Sequence, residues 1–320
     1  MRGASRIAHR LRSVALARCA YPLPMRSRAW ALQLLGFPAL FLAWLYVQQD
    51  YLIYHPVRYR RGLPERHAQE GIELRTVRFT TEDGDQNAIF FQPVVGKWTR
   101  LYAVFGGNAM VARNWIEVLA ESSEPGWADV AFLLLDYPGY GNSSGTPSQV
   151  SIRRMGERAL HAGARALGIG DRADVSLGMI GHSIGCAAAL DLAVATRETR
   201  YAFRHIVLSA PFTSLAEEAQ AMLPFLRPLP TPLVALLTAK NAWDNKAAVG
   251  NLAGQGAPRI DIIHAAEDEI VPHAMGEELF SLLRGSGFAA SFKSVPGVGH
   301  NDLLSTRTFG KWLRSVMAKP

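Results

Sequence analysis

Short, uninterrupted apolar runs recur along this chain, most of them separated by stretches with helical spacing. Leu101–Phe105, Val130–Asp136, Val175–Gly181, His205–Ser209 and Arg259–Ala265 are such runs. They lack the in–out alternation of a sheet with one wet face, so they fit strands buried on both sides, as in a parallel sheet. Helical stretches cover about Ala112–Ser122, Gln149–Leu167 and Ile184–Thr196. After the fifth run come a helix near Ala274–Leu283, a strand near Ala290–Val295 and a last helix near Leu303–Met317. Upstream, Ile72–Phe79 and Asn87–Pro93 flank the turn signal Glu82-Asp83-Gly84 and read as a hairpin. An antiparallel entry followed by strand–helix alternation predicts an α/β domain, with a mostly parallel central sheet and helices on both faces.

Two stretches break the pattern. Pro211 to Pro258 is a long excursion between strands; within it, Ala221–Ala239 has Arg227 as its only charge and four prolines. It is too apolar for a loop and too proline-rich for one helix, and reads as a small cap within 212–257 or as a structural insertion packed on the body. The other is Ala29–Val47, an uncharged apolar run. As a helix it would reach about 28 Å, close to the hydrocarbon core of a bilayer. Trp30 stands at one end, with Trp44 and Tyr46 at the other, where interfacial aromatic rings favour the water–lipid boundary. The expected organisation is a basic arm (1–28), a transmembrane anchor (29–49), a linker (50–70) and the α/β domain (71–320).

Charge sharpens this reading. The chain of 320 residues carries 34 Lys+Arg against 27 Asp+Glu, a formal +7. Residues 1–28 hold Arg2, Arg6, Arg10, Arg12, Arg18, Arg26 and Arg28 and no acid, so the rest of the chain is formally neutral. A nucleic-acid-binding domain would need a basic stripe on its folded surface; an arm of arginines before an apolar span is a membrane-orienting signal. The positive-inside rule then puts the N-terminus in the cytoplasm and the domain on the opposite, extracytoplasmic side. A cleaved signal peptide is the nearer rival, although no clear small-x-small site follows the run. Two cysteines, Cys19 and Cys186, exclude a disulfide scaffold and a four-cysteine zinc site. No metal or nucleotide signature appears, and no cofactor is expected.

The most informative stretch runs from Val175 through Gly181-His182-Ser183-Ile184-Gly185 into the alanine-rich Cys186–Ala195. It is an apolar strand, then G-x-S-x-G, then a helix. A serine in so tight a turn takes strained backbone angles and projects its hydroxyl clear of the sheet. Gly181 and Gly185 remove the Cβ atoms that would collide there.

At these residues the chain resembles the α/β-hydrolase family, and the likeness covers roughly residues 71–320. The family order of nucleophile, acid and histidine implies Ser183, then an acid, then a histidine. His300, in Gly297-Val-Gly-His300-Asn-Asp302, is similar to the family's histidine loop. His264-Ala-Ala-Glu267-Asp268-Glu269-Ile-Val-Pro272 resembles its G-x-x-D-x-x-V-P loop, whose register selects Asp268 with Glu267 and Glu269 as neighbouring alternatives. Gly106-Gly107-Asn108-Ala109 resembles the H-G-N-A oxyanion loop with Gly106 in place of histidine, which implies the amides of Asn108 and Ile184 as oxyanion donors. Asp136-Tyr-Pro-Gly139-Tyr140-Gly141-Asn-Ser143 is similar to the bracing loop after the fourth strand, and Asp136 is the runner-up acid. Within the family the chain looks most like the ABHD-type hydrolases with an N-terminal anchor and an H-G-N-like loop.

The resemblance implies acyl transfer on a carboxylic ester or thioester, with small-molecule or lipid-like acyl substrates and no nucleic acid. The alternatives are a catalytically silent membrane-anchored binding protein and a serine peptidase of the same fold.

Overall fold

The computed structural model describes residues 40–60, 66–69, 72–94, 97–121, 127, 129–166, 168 and 175–318. Two compact units divide at Leu45/Tyr46, and the second, Tyr46–Pro320, holds the body. A helix, α1, spans 40–53. It includes only the last part of the expected anchor, whose residues 29–39 lie outside the described residues. Among the described residues no helix is long and apolar enough to cross a membrane.

The body contains nine strands among the described residues: β1 (Arg66–Gln69), β2 (Ile72–Thr81), β3 (Gly84–Pro93), β4 (Arg100–Phe105), β5 (Val130–Leu135), β6 (Ser176–His182), β7 (His205–Ser209), β8 (Arg259–Ala265) and β9 (Ala290–Val295). They form one sheet in the order β1-β2-β3-β5-β4-β6-β7-β8-β9. β1, β2, β3 and β5 pair antiparallel; from β5 through β4 to β9 every pair is parallel. The hairpin turns where the sequence places it, with Thr81 opposite Gly84.

Apolar runs become central strands because successive side chains enter two different cores. Leu101, Ala103 and Phe105 of β4 join one cluster, with Leu133 of β5 and Met179 of β6. Tyr102, Val104, Phe132 and Ile180 join the other. The first core is covered by α3 (Gln149–Ala166), α4 (Ile184–Thr196), α7 (Asn245–Leu252) and α8 (His273–Gly285), through side chains such as Met155, Leu190, Val249 and Leu279. The second is covered by α2 (Ala112–Glu121) and α9 (Arg307–Met317), through Trp115, Leu119, Phe309 and Leu313.

Between β7 and β8 the long excursion folds into α5 (Leu215–Met222), α6 (Thr231–Leu237) and then α7. Its prolines fall at helix starts, where a missing N–H costs nothing: Pro224 opens a 3₁₀ turn and Pro232 lies in the first turn of α6. Ala216, Leu226 and Val234 make a small core of their own.

The stretch read as a linker behaves differently. Tyr54 is buried in the first core, donates to Asn241 Oδ1 at 3.0 Å and accepts from Trp243 Nε1 at 2.9 Å. Arg58 donates to the Ser143 carbonyl at 2.6 Å. This stretch thus touches the body through Tyr54, buried in the first core, and Tyr59, packed against it.

A polar cluster closes the amino ends of the central strands. Tyr102 Oη lies 2.7 Å from His205 Nδ1, His205 Nε2 lies 2.9 Å from Asp261 Oδ2, and Arg259 Nε donates to the same oxygen at 2.8 Å. Burial works against the Asp261 charge, but its bonds to His205, Ser291 and Arg259 outweigh it and hold the carboxyl below its usual range. A depressed carboxylate stabilises the fold above its unfolded pKa and loses that contribution as pH falls through the folded value. Asp261→Asn should therefore cost about 3–5 kcal/mol in urea unfolding at pH 7, as for a broken buried pair. The gap between variant and wild type should shrink below pH ~4.

Candidate active site

β6 ends at His182 and α4 begins at Ile184, so Ser183 is the whole of the turn between them. It holds φ 54° and ψ −124°, a positive-φ conformation that a side chain makes costly. Its amide donates to the Ser209 carbonyl at 2.8 Å, fixing the turn to the end of β7. The two flanking glycines are required by contact. A Cβ on Gly181 would lie 2.4 Å from the Gly185 carbonyl oxygen, and one on Gly185 would lie 2.5 Å from that of Phe105.

His182, the variable residue of the motif, is buried, with Nδ1 3.1 Å from Ser209 Oγ. Its ring centroid stands 5.0 Å from that of His300. Burial, then the neighbouring His300, push its pKa down to about 3, so it stays neutral at physiological pH. Cys186 sits behind the turn, fully buried, where desolvation pushes its thiol up and makes it an inert neighbour.

The structure brings His300 and Asp268 together, with Nδ1 2.7 Å from Oδ2. Asp268 is fully buried. Its Oδ1 accepts from the amides of Ile270 (3.0 Å) and Val271 (2.7 Å), while His264 Nε2 lies 3.3 Å from Oδ2. Burial opposes its charge, yet the bonds from His264, His300 and the Val271 amide win and hold the carboxyl well below the usual carboxylate range. His264 reaches it only because α8 carries Gly276, where a Cβ would lie 2.3 Å from His264 Nδ1.

The two flanking acids do other work. Glu267 Oε2 accepts from the amides of Gly297 (2.7 Å) and Val298 (3.2 Å), and Glu269 Oε2 accepts from the His300 amide at 3.0 Å. They hold the histidine loop against the acid loop.

Gly107 lies beside the serine: a Cβ there would stand 2.9 Å from His182 Cδ2 and 3.4 Å from Ser183 Cβ. Ile184 is the first residue of α4, so its amide has no carbonyl one turn back to bond. The Asn108 side chain is occupied: Nδ2 donates to the Ile53 carbonyl at 2.6 Å, and Oδ1 accepts from the His55 amide at 2.8 Å and from Tyr140 Oη at 3.0 Å. His55, read as lying before the domain, therefore stands against this loop. Its sequence context gave no periodic signal that could have shown it.

Asp136 is not near the histidine loop by any of its bonds. Its Oδ1 accepts from Tyr59 Oη at 3.0 Å and from the amide of Ala112, the first residue of α2, at 2.8 Å. Burial raises its pKa to about 6 despite these donors. Gly141 must be glycine beside it, since a Cβ would overlap Asp136 Oδ2 at 2.2 Å. Asp244 caps α7 by accepting from the Ala247 amide at 2.8 Å.

Sequence reasoning also passed over Glu218 on α5. It is buried, and its Oε2 has no partner among the described residues. Burial, and then the charge of Asp268, raise its pKa to about 8. An adjacent pair of glutamates ordinarily signals a solvated helix face; here only Glu217 is such a residue, paired with Lys246 at 2.5 Å.

A serine in a strained strand-to-helix turn, a histidine–aspartate pair behind it and a glycine loop beside it, all at the carboxyl ends of a parallel sheet, define an α/β-hydrolase site. Residues 104–268, just over half of the chain, match the alpha/beta hydrolase family, and the protein belongs to that family. Among relatives, it is 34% identical over 178 residues to the uncharacterized protein Rv2307c of Mycobacterium tuberculosis, covering 54% of each chain. It is 26% identical over 237 residues to the lysophosphatidylserine lipase ABHD12 of Gallus gallus, covering 68% of this chain and 56% of that one. The chain thus spans about half the length of these relatives. Carboxyl esterase 2 of Tuber melanosporum has the same fold, with a TM-score of 0.55 at 19% identity over 86% of this chain and 95% of that one.

Strain at the serine gives a test of stability. Ser183→Gly should raise the free energy of unfolding by about 1–2 kcal/mol, the cost of a non-glycine residue at this φ. Urea unfolding monitored by tryptophan fluorescence would measure it.

Proposed function

We propose that the protein is a serine hydrolase that cleaves carboxylic ester or thioester bonds through an acyl-enzyme, with Ser183 as nucleophile, His300 as base and Asp268 as acid. The observation that carries this reading is the His300–Asp268 bond at 2.7 Å beside the strained serine turn. An ionised Asp268 can only accept, so it selects the His300 tautomer with hydrogen on Nδ1 and leaves Nε2 free to take a proton. Ser183 Oγ attacks the carbonyl carbon as its proton passes to Nε2. The amides of Asn108 and Ile184 stabilise the oxyanion, and α4 adds its positive end. The imidazolium then protonates the leaving oxygen or sulfur. Water, activated by the same nitrogen, releases the acid.

Lipid-like acyl substrates are the favoured class. The apolar segment over α5 and α6 supports this, as does the likeness to a relative named as a lysophosphatidylserine lipase. In the same reading residues 29–49 anchor the chain, with the arginine arm in the cytoplasm and the body on the opposite side of the membrane. The arginines before the run and the neutral body after it support that orientation.

A fluorophosphonate probe tests the chemistry. Wild type should be labelled and Ser183→Ala should not, while Asp268→Asn should label on the order of 10³-fold more slowly or worse. Equal labelling of wild type and Ser183→Ala removes Ser183 as the nucleophile. An unlabelled wild type favours the catalytically silent alternative.

A further inference from the structure

Two stretches of the body carry several large exposed apolar side chains each. Val47, Tyr51 and Leu52 of α1 are 61%, 78% and 52% exposed, while Gln49 and Tyr54 beside them are buried. Met222 and Leu223 at the end of α5, and Leu233 and Leu236 of α6, make the second, with Leu236 68% exposed. Val234 and Leu237 of α6 face the small core instead, so the helix is apolar on both sides.

The stretches are neighbours. Gln49 Nε2 donates to the Leu237 carbonyl at 2.6 Å, Asn241 Nδ2 donates to Asp50 Oδ1 at 2.8 Å, and Lys240 pairs with Asp50 at 2.5 Å. An exposed apolar surface gathered in this way marks an interaction site.

Charge selects the occupant. From Ala219 to Trp243 the chain has no acid, and its only charges are Arg227 and Lys240. Asp50 is already matched by Lys240. Upstream, α1 continues the uncharged run that begins at Ala29, behind seven arginines. α5 carries buried Glu218 and exposed Met222 one turn apart.

We infer that this face of α1, α5 and α6 seats on the surface of an anionic lipid bilayer, and that acyl substrates enter the site from that bilayer. The second half of the inference rests on the acyl-hydrolase reading; the first does not. An apolar face that carries Arg227 and no acid in its longest stretch binds such a surface through buried area and headgroup attraction together.

Full-length protein is reconstituted into vesicles of phosphatidylcholine and phosphatidylglycerol, in a Cys19→Ser background, with a fluorophore on Leu236→Cys. The control label is on Arg284→Cys, in the last turn of α8. Doxyl-labelled lipid should quench the first at least about threefold more than the second. Equal quenching overturns the docking, and so does a Leu236→Cys label shielded without lipid in proportion to protein concentration, which assigns the face to a second copy. For substrate entry, Leu233→Asp with Leu236→Asp should lower hydrolysis of a long-chain monoacylglycerol in the same vesicles about tenfold, and leave a water-soluble short-chain ester within about twofold. Parallel loss on both esters overturns entry from the bilayer. Failure of wild type on both esters refutes the hydrolase reading, while quenching still decides the docking.

Discussion

Backbone approaches backbone closely where α4 starts. Gly185 lies so near the end of β4 that an added Cβ would fall 2.5 Å and 2.6 Å from the carbonyl oxygens of Phe105 and Gly106. That contact places the first turn of α4 against the loop after β4, and so places Gly107 beside Ser183. It also accounts for the strain. Both flanks are pinned, by Gly181 against Gly185 on one side and by the Ser183 amide bonded to β7 on the other, and between them the serine holds a positive φ. The sheet supplies the force for this. Its central strands are buried on both faces, so they cannot relax without exposing two cores at once.

Around that point the loops are fastened to one another more than to the sheet. Glu267 and Glu269 tie the acid loop to the histidine loop by main-chain amides, independently of the His300–Asp268 bond. Their neighbour Asp268 is left to face two histidines. His264, with Nε2 toward both Asp268 and the Val271 carbonyl (3.1 Å), packs under the acid loop from β8. The carboxylate thus has four donors aimed at it. That arrangement favours an ionised acid that orients the imidazole over one that takes its proton.

The sheet was legible because apolar runs of five to seven residues, most of them set between helical stretches, fit strands buried on both faces of a parallel sheet. His205–Ser209 and Arg259–Ala265 match their strands residue for residue. The turn at Ser183 and the meeting of Asp268 with His300 were legible because each residue sits in a short motif with a fixed place relative to a strand end. Residues 50–60 were not legible as part of the body. Tyr54, His55 and Tyr59 contact distant loops residue by residue, and such contacts leave no periodicity. Glu218 was hidden for a similar reason: Glu217 and Glu218 are equivalent in sequence, and only the direction of α5 separates a surface ion pair from a buried acid.

Gly106 shows how a departure from the family motif is absorbed. The H-G-N pattern carries a histidine where this chain has glycine. A Cβ on Gly106 would lie 3.0 Å from the Met110 Cβ and 3.6 Å from Trp115 Nε1. That indole N–H is buried and has no acceptor among the described residues. Met110 fills part of the space, and its sulfur accepts from the Gly107 amide at 3.3 Å, while Tyr137 Oη donates to the Gly106 carbonyl at 2.6 Å. The loop is then held from the outside by Asn108, through Ile53, His55 and Tyr140. In the proposed mechanism the Asn108 side chain is fully engaged in this bracing, so the part of the residue left for substrate is its backbone amide. The end of α1 and the residues after it thus hold the Asn108 loop, which ties its shape to the chain arriving from its N-terminal side.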